Sequence, residues 1–397
     1  MSAAAIRSLF VSCGEVSGDI YLAAFIRRVL ARRPELSGQI WGMTGPLSSG
    51  AAASAGDWPR WSYEELQIMG ILEVLPALPR ILRLRRAMVR AIMDQPPGRR
   101  PDAVVLVDSP DYHLALAASL RRAGYGGRIV SLVPPTVWAW RSGRTVNLKR
   151  DFDLCLPLFS FEHRFLEERG VHSLWRAHPL VKELQDCHAP EELKRRLAEA
   201  GPGAKPIALM AGSRRYDIKN HLDILLGTAR ILRGEGYLPL FSIAPGLAAP
   251  LAAELRERTR AEGFETWEGE GRGLMDACWA VAGVSGTVAV EAMMLRRFMV
   301  VIYNLQPLTY ALLKRLVRTP CISIPNCLAD GPVYPELLCG DATPERIVGE
   351  LRRYLETPEL KAEVDGRLER ARSAMGTEDA ADFWAECVLA SCASQEL

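Results

Sequence analysis

A chain of 397 residues is predicted to be α/β, with two doubly wound parallel sheets facing a cleft and helices at the C-terminal end. Short β-rich runs alternate with amphipathic helical patterns throughout, the signature of parallel strands joined by helical crossovers. That series occurs twice, with a charged stretch ending in GPGAKP between the two copies. The length exceeds what one hydrophobic core commonly organises and suits two domains. The expected divisions are 1–181, a connection at 182–205, a second domain at 206–341, and helices at 342–397 that either cap the second domain or return to the first.

The first strand is Ser8–Cys13. Its apolar run ends at a cysteine but is short and lacks an early basic region, so it reads as a buried strand and not as a signal segment. GEVSGD, Gly14–Asp19, then turns the chain into an amphipathic helix. A glycine turn from strand to helix usually offers N–H groups to a phosphate. Glu15 and Asp19 would repel one, so this turn suits the hydroxyls of an acceptor sugar beside Ser17 and Gly18. The plainer role for both acids is helix capping.

Gln39–Thr44 is the next strand, followed by QIMGILEVLPALPRILRLRRAMVR, Gln67–Arg90. Helical spacing puts Ile81, Leu84, Met88 and Ile92 on one face and Arg83, Arg86 and Arg90 opposite, with Arg80 a turn earlier. A basic amphipathic helix after the apolar Met69, Ile71, Leu72 and Leu75 suits a membrane surface or a lipid tail; a helix packed on the sheet with solvated arginines fits the same pattern. AVVLVDSP, Ala103–Pro110, is a strand that delivers Asp108 to its carboxyl end, where a carboxylate either acts as a general base or caps the turn. Arg128–Val133 leads into VWAWR, whose Trp138 and Trp140 suit a sugar-stacking wall or the core, and whose Arg141 suits an anionic group. Asp153–Pro157 completes the first series, and the lone His178 reads as structural.

The second series runs through Pro206–Ala211, Leu238–Ala244, Trp279–Val284, Met299–Asn304 and Ile322–Pro325. Gly212, Ser213 and Arg214 stand at the head of the first of these, where the arginine could neutralise a departing diphosphate. After Trp279–Val284 come Ser285, Gly286 and Thr287, then a helix from Val288 carrying Glu291 one turn on. N–H and hydroxyl groups there suit a diphosphate and the glutamate a ribose, although ordinary N-capping and a surface glutamate explain the same residues. Neither loop is a Walker lysine loop or a GxGxxG fingerprint, which disfavours ATPase and dehydrogenase readings.

A net charge of +2 argues against nucleic acid as the main partner. The nine cysteines include no C-x-x-C pair, so reduced thiols are expected and not a zinc knuckle or a disulfide framework. No stretch approaches the roughly 20 apolar residues that span a bilayer.

Taken together, GEVSGD, MGILEVL (Met69–Leu75), VDSPDY (Val107–Tyr112), VWAWR, AGSRRYD (Ala211–Asp217), SGTVAVE (Ser285–Glu291) and SIPNCLAD (Ser323–Asp330) resemble the lipid-A-disaccharide synthase family, inverting glycosyltransferases of the GT-B type with two Rossmann-like domains. The resemblance covers nearly the whole chain. It implies condensation of UDP-2,3-diacylglucosamine with 2,3-diacylglucosamine 1-phosphate (lipid X), release of UDP, no metal or other cofactor, and a cytoplasmic enzyme peripheral on the inner face of the cytoplasmic membrane. A homodimer is left open. In that reading Asp108 is the base for the acceptor 6-hydroxyl, with Glu15 or Asp19 orienting the acceptor or exchanging roles with it; Ser17, Gly18, Trp138 and Arg141 line the acceptor site. Gly212, Ser213, Arg214, Ser285, Gly286, Thr287, Glu291 and Asn326 hold the UDP-sugar. The sequence departs from the family pattern at Ala211, where a proline is usual, at Ala177, where a glycine is usual, and at Gly331, which stands in place of an arginine. A UDP-N-acetylglucosamine 2-epimerase, another GT-B transferase, and a lipid-sugar-binding homologue without turnover are the competing readings.

Overall fold

The computed structural model describes residues 6–52, 58–66, 74–96, 98–304, 319, 321–329 and 331–390. The chain forms two compact units, Met1–Pro179 with Thr377–Leu397, and Leu180–Gly376. The first contains β1 (Leu9–Cys13), β2 (Ile40–Thr44), β3 (Arg60–Ser62), β4 (Ala103–Val107), β5 (Arg128–Leu132) and β6 (Leu154–Leu156). They form one parallel sheet in the order β3-β2-β1-β4-β5-β6. The second unit contains β7 (Pro206–Met210), β8 (Leu238–Ser242), β9 (Glu265–Trp267), β10 (Ala280–Val284), β11 (Phe298–Tyr303) and β12 (Glu336–Leu338). Its parallel order is β12-β11-β10-β7-β8-β9, so both sheets reverse strand order beside their first strand.

That reversal places the candidate sites. Where strand order switches, successive helices leave on opposite faces and a crevice opens at the carboxyl ends of the two central strands. In the first unit these strands are β1 and β4, in register from Leu9 with Ala103 to Cys13 with Val107. Gly14 and Asp108 are therefore the next residues of neighbouring strands. In the second unit the pair is β7 and β10, which deliver Gly212 and Ser285 to the same kind of edge.

Strand alternation builds the first unit's core on both faces of its sheet. Leu9, Val11, Val105 and Val107 pack with Leu22, Phe25 and Ile26 of the helix Val16–Arg32. Phe10, Val104 and Leu106 pack on the other face with Leu116 and Leu120 of the helix Pro110–Arg122. The helix Val74–Met93 joins this second face through Leu84, Met88 and Ile92, all buried, while Arg80, Arg83, Arg86 and Arg90 are exposed. Leu84, Met88 and Ile92 of that helix are thus occupied by the core, while its arginines and, nearer its start, Leu78 meet solvent. Met69, Ile71 and Leu72 lie outside the described residues, as does the side chain of Leu75.

The helix Ala380–Ala390 packs on the helix Val16–Arg32. Trp384 meets Tyr21 edge-on at 6.1 Å, and Arg28 and Arg32 pair with Asp379 and Asp382 at 2.6 and 2.7 Å. The preceding helices Pro344–Glu356 and Pro358–Ser373 belong to the second unit. So does the whole segment 182–205 read as a connection: it carries the helix Glu191–Glu199, and Ala189 donates its N–H to Asp276 at 2.9 Å.

The structure corrects one strand outright. Ile322–Pro325 opens the helix Ile324–Leu328, with Pro325 in its first turn, and the strand beside β11 is β12. Proline at the start of a helix fits because its missing N–H has no partner there in any case. The other two strands not predicted, β3 and β9, have three residues each, too few to show a period.

Candidate active site

The three acids of the first unit take different positions. Asp108 follows β4 and is partly exposed, with φ at +55°, and Ser109 follows with φ at +45°. Consecutive side-chain-bearing residues in the left-handed region are costly, about 1–2 kcal/mol each, and persist where surrounding bonds hold them. Those bonds are present here. Asp108 N–H donates to Leu132 O at 3.1 Å, Asp108 Oδ1 accepts Ser109 N–H at 2.9 Å, and Oδ2 accepts the Ser17 hydroxyl at 3.2 Å. His113 lies 2.6 Å through Nδ1 from the Asp108 carbonyl oxygen. Gly14 completes the turn, because a Cβ there would fall 2.0 Å from Ser109 Oγ.

Asp19 is buried and fully engaged. Oδ1 accepts the N–H groups of Gly45 and Ser48 at 3.1 and 2.9 Å and the Ser48 hydroxyl, while Oδ2 accepts Leu47 N–H at 3.0 Å. The capping role read from the sequence is present, but it serves the helix Pro46–Ala51 and not the helix on which Asp19 sits. Glu15 occupies the N-cap position of the helix Val16–Arg32 without a side-chain capping bond. Gly18 is buried under this turn, where a Cβ would stand 3.3 Å from Cys13 Cβ and 3.6 Å from Asp108 Cβ. Around it, Val16, Ile20 and Leu47 are 57%, 40% and 49% exposed.

The two tryptophans of VWAWR divide their roles. Trp138 is half-buried: it donates its indole N–H to Glu162 Oε1 at 2.8 Å and packs edge-on against Phe161 at 4.8 Å. Burial lifts the Glu162 carboxyl to about 7, against the opposing pull of that indole and of two backbone N–H groups. Trp140 is 38% exposed, with the Arg141 guanidinium 4.3 Å over its ring. Arg141 and Arg144 both reach Asp111, so the exposed aromatic surface is cationic and lies beside the Asp108 turn. His178 is buried against Phe159, and burial lowers its pKa to about 3, the behaviour of a structural histidine.

In the second unit Gly212 has φ at +95°, and a Cβ there would press Asp217 Cβ at 2.5 Å. Glycine is required, and it leaves Ser213 and Arg214 exposed at the entry of the helix Arg215–Gly234. Gly286, with φ at +155°, precedes the helix Thr287–Met294. Ser285 N–H is spent on Ile302 O at 3.3 Å, whereas Gly286 and Thr287 are exposed at the helix N-terminus. Glu291 Oε1 accepts Arg272 Nε–H at 2.9 Å, and Arg272 also reaches Glu183 at 3.0 Å. Asn326 does not project as a free ligand. Its amide donates to Tyr334 O and Glu336 Oε1, and its oxygen accepts Val333 and Tyr334 N–H, all within 2.8–2.9 Å.

Sequence reasoning missed His113, Trp140 as the exposed ring, Arg272 and Glu336. Glu336 is the acceptor for Ile322, Ser323 and Asn326. No local pattern marks Arg272 or Glu336, since their partners are distant in sequence; His113, one turn into the helix after VDSP, was visible. Among the described residues no group of three or more His, Cys, Asp or Glu is arranged for a metal, no cysteine forms a disulfide, and no helix is long and apolar enough to cross a membrane.

Among solved structures, the chain is similar over 96% of its length to UDP-GlcNAc 2-epimerase from Neisseria meningitidis bound to UDP-GlcNAc, with 11% identity, a TM-score of 0.55 and 98% of that chain covered. It is likewise similar to the calicheamicin glycosyltransferase CalG4, with 13% identity, a TM-score of 0.56, and 96% and 97% of the two chains covered. These likenesses show the GT-B fold and no more. At the sequence level the chain is 35% identical over 386 residues to lipid-A-disaccharide synthase of Pseudomonas paraeruginosa, covering 95% of this chain and 96% of that one. It is 32% identical over 385 residues to the synthase of Geobacter sulfurreducens, with 96% of both chains covered. Residues 9–382 match the family model described as lipid-A-disaccharide synthetase. On that match and those identities, the chain belongs to the lipid-A-disaccharide synthase family.

Proposed function

We propose that this glycosyltransferase transfers 2,3-diacylglucosamine from its UDP derivative to the 6-hydroxyl of 2,3-diacylglucosamine 1-phosphate, with Asp108 as the general base. The acceptor oxygen attacks the anomeric carbon and the carbon–oxygen bond to UDP breaks with inversion. The hydroxyl proton passes to Asp108, and the electron pair leaves with the diphosphate. The observation that carries this assignment is the strained position of Asp108 at the strand-order switch of the first sheet, with its carboxylate partly exposed. A base held on a rigid strand end loses little orientation when the acceptor arrives, and general base catalysis typically contributes about 10²–10⁴-fold.

Glu15 orients the acceptor in this reading, and Asp19 supports the turn from below through its bonds to Gly45, Leu47 and Ser48. Val16, Ile20 and Leu47 give acyl chains an apolar surface, and Arg141 takes the acceptor phosphate. Arg214 with the N–H groups of Gly286 and Thr287 receives the negative charge that develops on the leaving diphosphate. Glu291, held by Arg272, serves the ribose. No step calls on a metal or a cofactor. The exposed Arg80, Arg83, Arg86 and Arg90 attract the enzyme to anionic lipid on the cytoplasmic face of the membrane, where both substrates reside.

The test is Asp108→Asn, assayed by mass spectrometry of products from both acylated precursors and by calorimetric titration of UDP. Turnover is expected to fall by at least about 10²-fold with UDP affinity retained. Substantial product formation would remove Asp108 as the base. Use of a deacylated sugar nucleotide in preference to the acylated one would favour a soluble-acceptor transferase.

A further inference from the structure

We infer that His113, anchored by Ser12, is a positioning residue that holds the catalytic turn in its left-handed conformation by donating a hydrogen bond to the Asp108 carbonyl. The inference rests on the reading of Asp108 as the base.

The atoms determine the proton arrangement. A backbone carbonyl only accepts, so His113 Nδ1, 2.6 Å from Asp108 O, must carry the hydrogen. In the neutral ring Nε2 is then bare and must accept; its neighbour at 2.8 Å is the Ser12 hydroxyl. Both residues are buried, and desolvation lowers the histidine to about 4, so this single arrangement holds across the range in which the enzyme is assayed. The ring is a strut with two fixed ends.

Its location follows from strand alternation. Ser12 points to the same face of the sheet as Phe10, where the helix Pro110–Arg122 packs. His113 lies in the first turn and a half of that helix, which starts just after the strained pair Asp108 and Ser109. The strut therefore ties the central strand β1 to the carbonyl on which the orientation of the carboxylate depends. Without it, the turn keeps the backbone bond to Leu132 and the Ser109 N–H bond to Asp108 Oδ1, but the Asp108 carbonyl loses the side chain that holds it. The residue can then relax toward an ordinary negative φ, which swings the carboxylate away from Ser17. A displacement near 1 Å at a reacting group can cost about 10²-fold.

Three variants separate the two ends of the strut. His113→Asn places an amide nitrogen on the same carbon that bears Nδ1, so it can still donate to Asp108 O. His113→Gln reaches the Nε2 position and serves Ser12 instead. His113→Leu fills the space and bonds to neither. Steady-state kinetics with both acylated precursors, thermal melting and UDP titration are measured for each, beside Asp108→Asn. The expected result is a kcat loss of about 10²-fold for the leucine and glutamine variants, with KM within about two-fold, and recovery to within about five-fold of wild type for asparagine. The pH profile of the asparagine variant keeps the wild-type acid limb, because the ring is not the base. Equal losses in all three variants, a leucine variant as fast as wild type, or disappearance of the acid limb on replacing His113 would overturn the inference. If Asp108→Asn is itself active, the base assignment fails, and that outcome is read separately from the histidine series.

Discussion

Replacing Asp19 by alanine should lower stability more than it lowers the activity of the folded enzyme. The carboxylate accepts three backbone N–H groups, from Gly45, Leu47 and Ser48, as well as the Ser48 hydroxyl. Alanine leaves these donors without an acceptor at the start of the helix Pro46–Ala51. Loss of an N-cap costs about 1–2 kcal/mol, and each stranded buried donor about 1–3 kcal/mol. Leu47 N–H is only partly buried and can turn to water, so the whole is about 3–5 kcal/mol. For a unit of this size each kcal/mol moves the melting midpoint by about 2–4 °C, which gives a fall of about 6–20 °C for the first unit. Asp19→Asn should fall between, since its carbonyl still serves Gly45 and Ser48 while its NH₂ group meets Leu47 N–H. The assay is thermal unfolding followed by circular dichroism, with kcat measured well below the variant's midpoint. An alanine variant that melts within about 2 °C of wild type yet has lost turnover would refute the reasoning and return Asp19 to the catalytic acids.

Other outcomes follow from the same geometry. Gly14→Ala drives a Cβ to 2.0 Å from Ser109 Oγ, so the turn must move, and kcat should fall by about 10²-fold with UDP affinity unchanged in a calorimetric titration. Asn326→Ala strips partners from Val333, Tyr334 and Glu336 and should lower the second unit's melting midpoint, with a smaller effect on UDP affinity than Arg214→Ala. Glu162 titrates near 7 when folded and near 4.5 when unfolded, so the folded state binds the extra proton between these values. The stability contributed by this group is complete below about pH 4.5 and is lost as pH rises through about 7, at up to about 1.4 kcal/mol per pH unit; Glu162→Gln should remove that slope from a series of melts. Exchanging Arg80, Arg83, Arg86 and Arg90 for glutamine should weaken sedimentation with anionic vesicles by about 1 kcal/mol per residue, with kcat on detergent-dispersed substrate retained.

The candidate site was legible where the chemistry is local. Asp108 at the end of an apolar run, Gly212 before Ser213 and Arg214, and Ser285–Thr287 before a helix are each a strand, a break and a polar group within a few residues, and the structure puts them at strand ends. The hydrogen bonds of Asp19, Trp138 and Asn326 were not legible, because their partners lie outside the local motif: Gly45 and Ser48, Glu162, and Tyr334 with Glu336. The arginine-rich helix is intermediate. Its period gave the two faces correctly, but whether the apolar one met lipid or core depended on Phe10 and Trp41, which lie beneath it.

By itself the sequence determined that two parallel α/β sheets form, which strand ends carry the acids and the Ser-Gly-Thr turn, and to which family the motifs point. These depend on apolar period and on residues adjacent in the chain. The tertiary structure decided which carboxylate is left partly exposed and strained and which is consumed as a cap. It also decided that Trp140 is the more exposed ring while Trp138 is tied to Glu162, and that His113 reaches back to Ser12. Hydrogen-bond partners are selected by distance in space, and a buried polar group takes whichever donor or acceptor packing brings within about 3 Å of it.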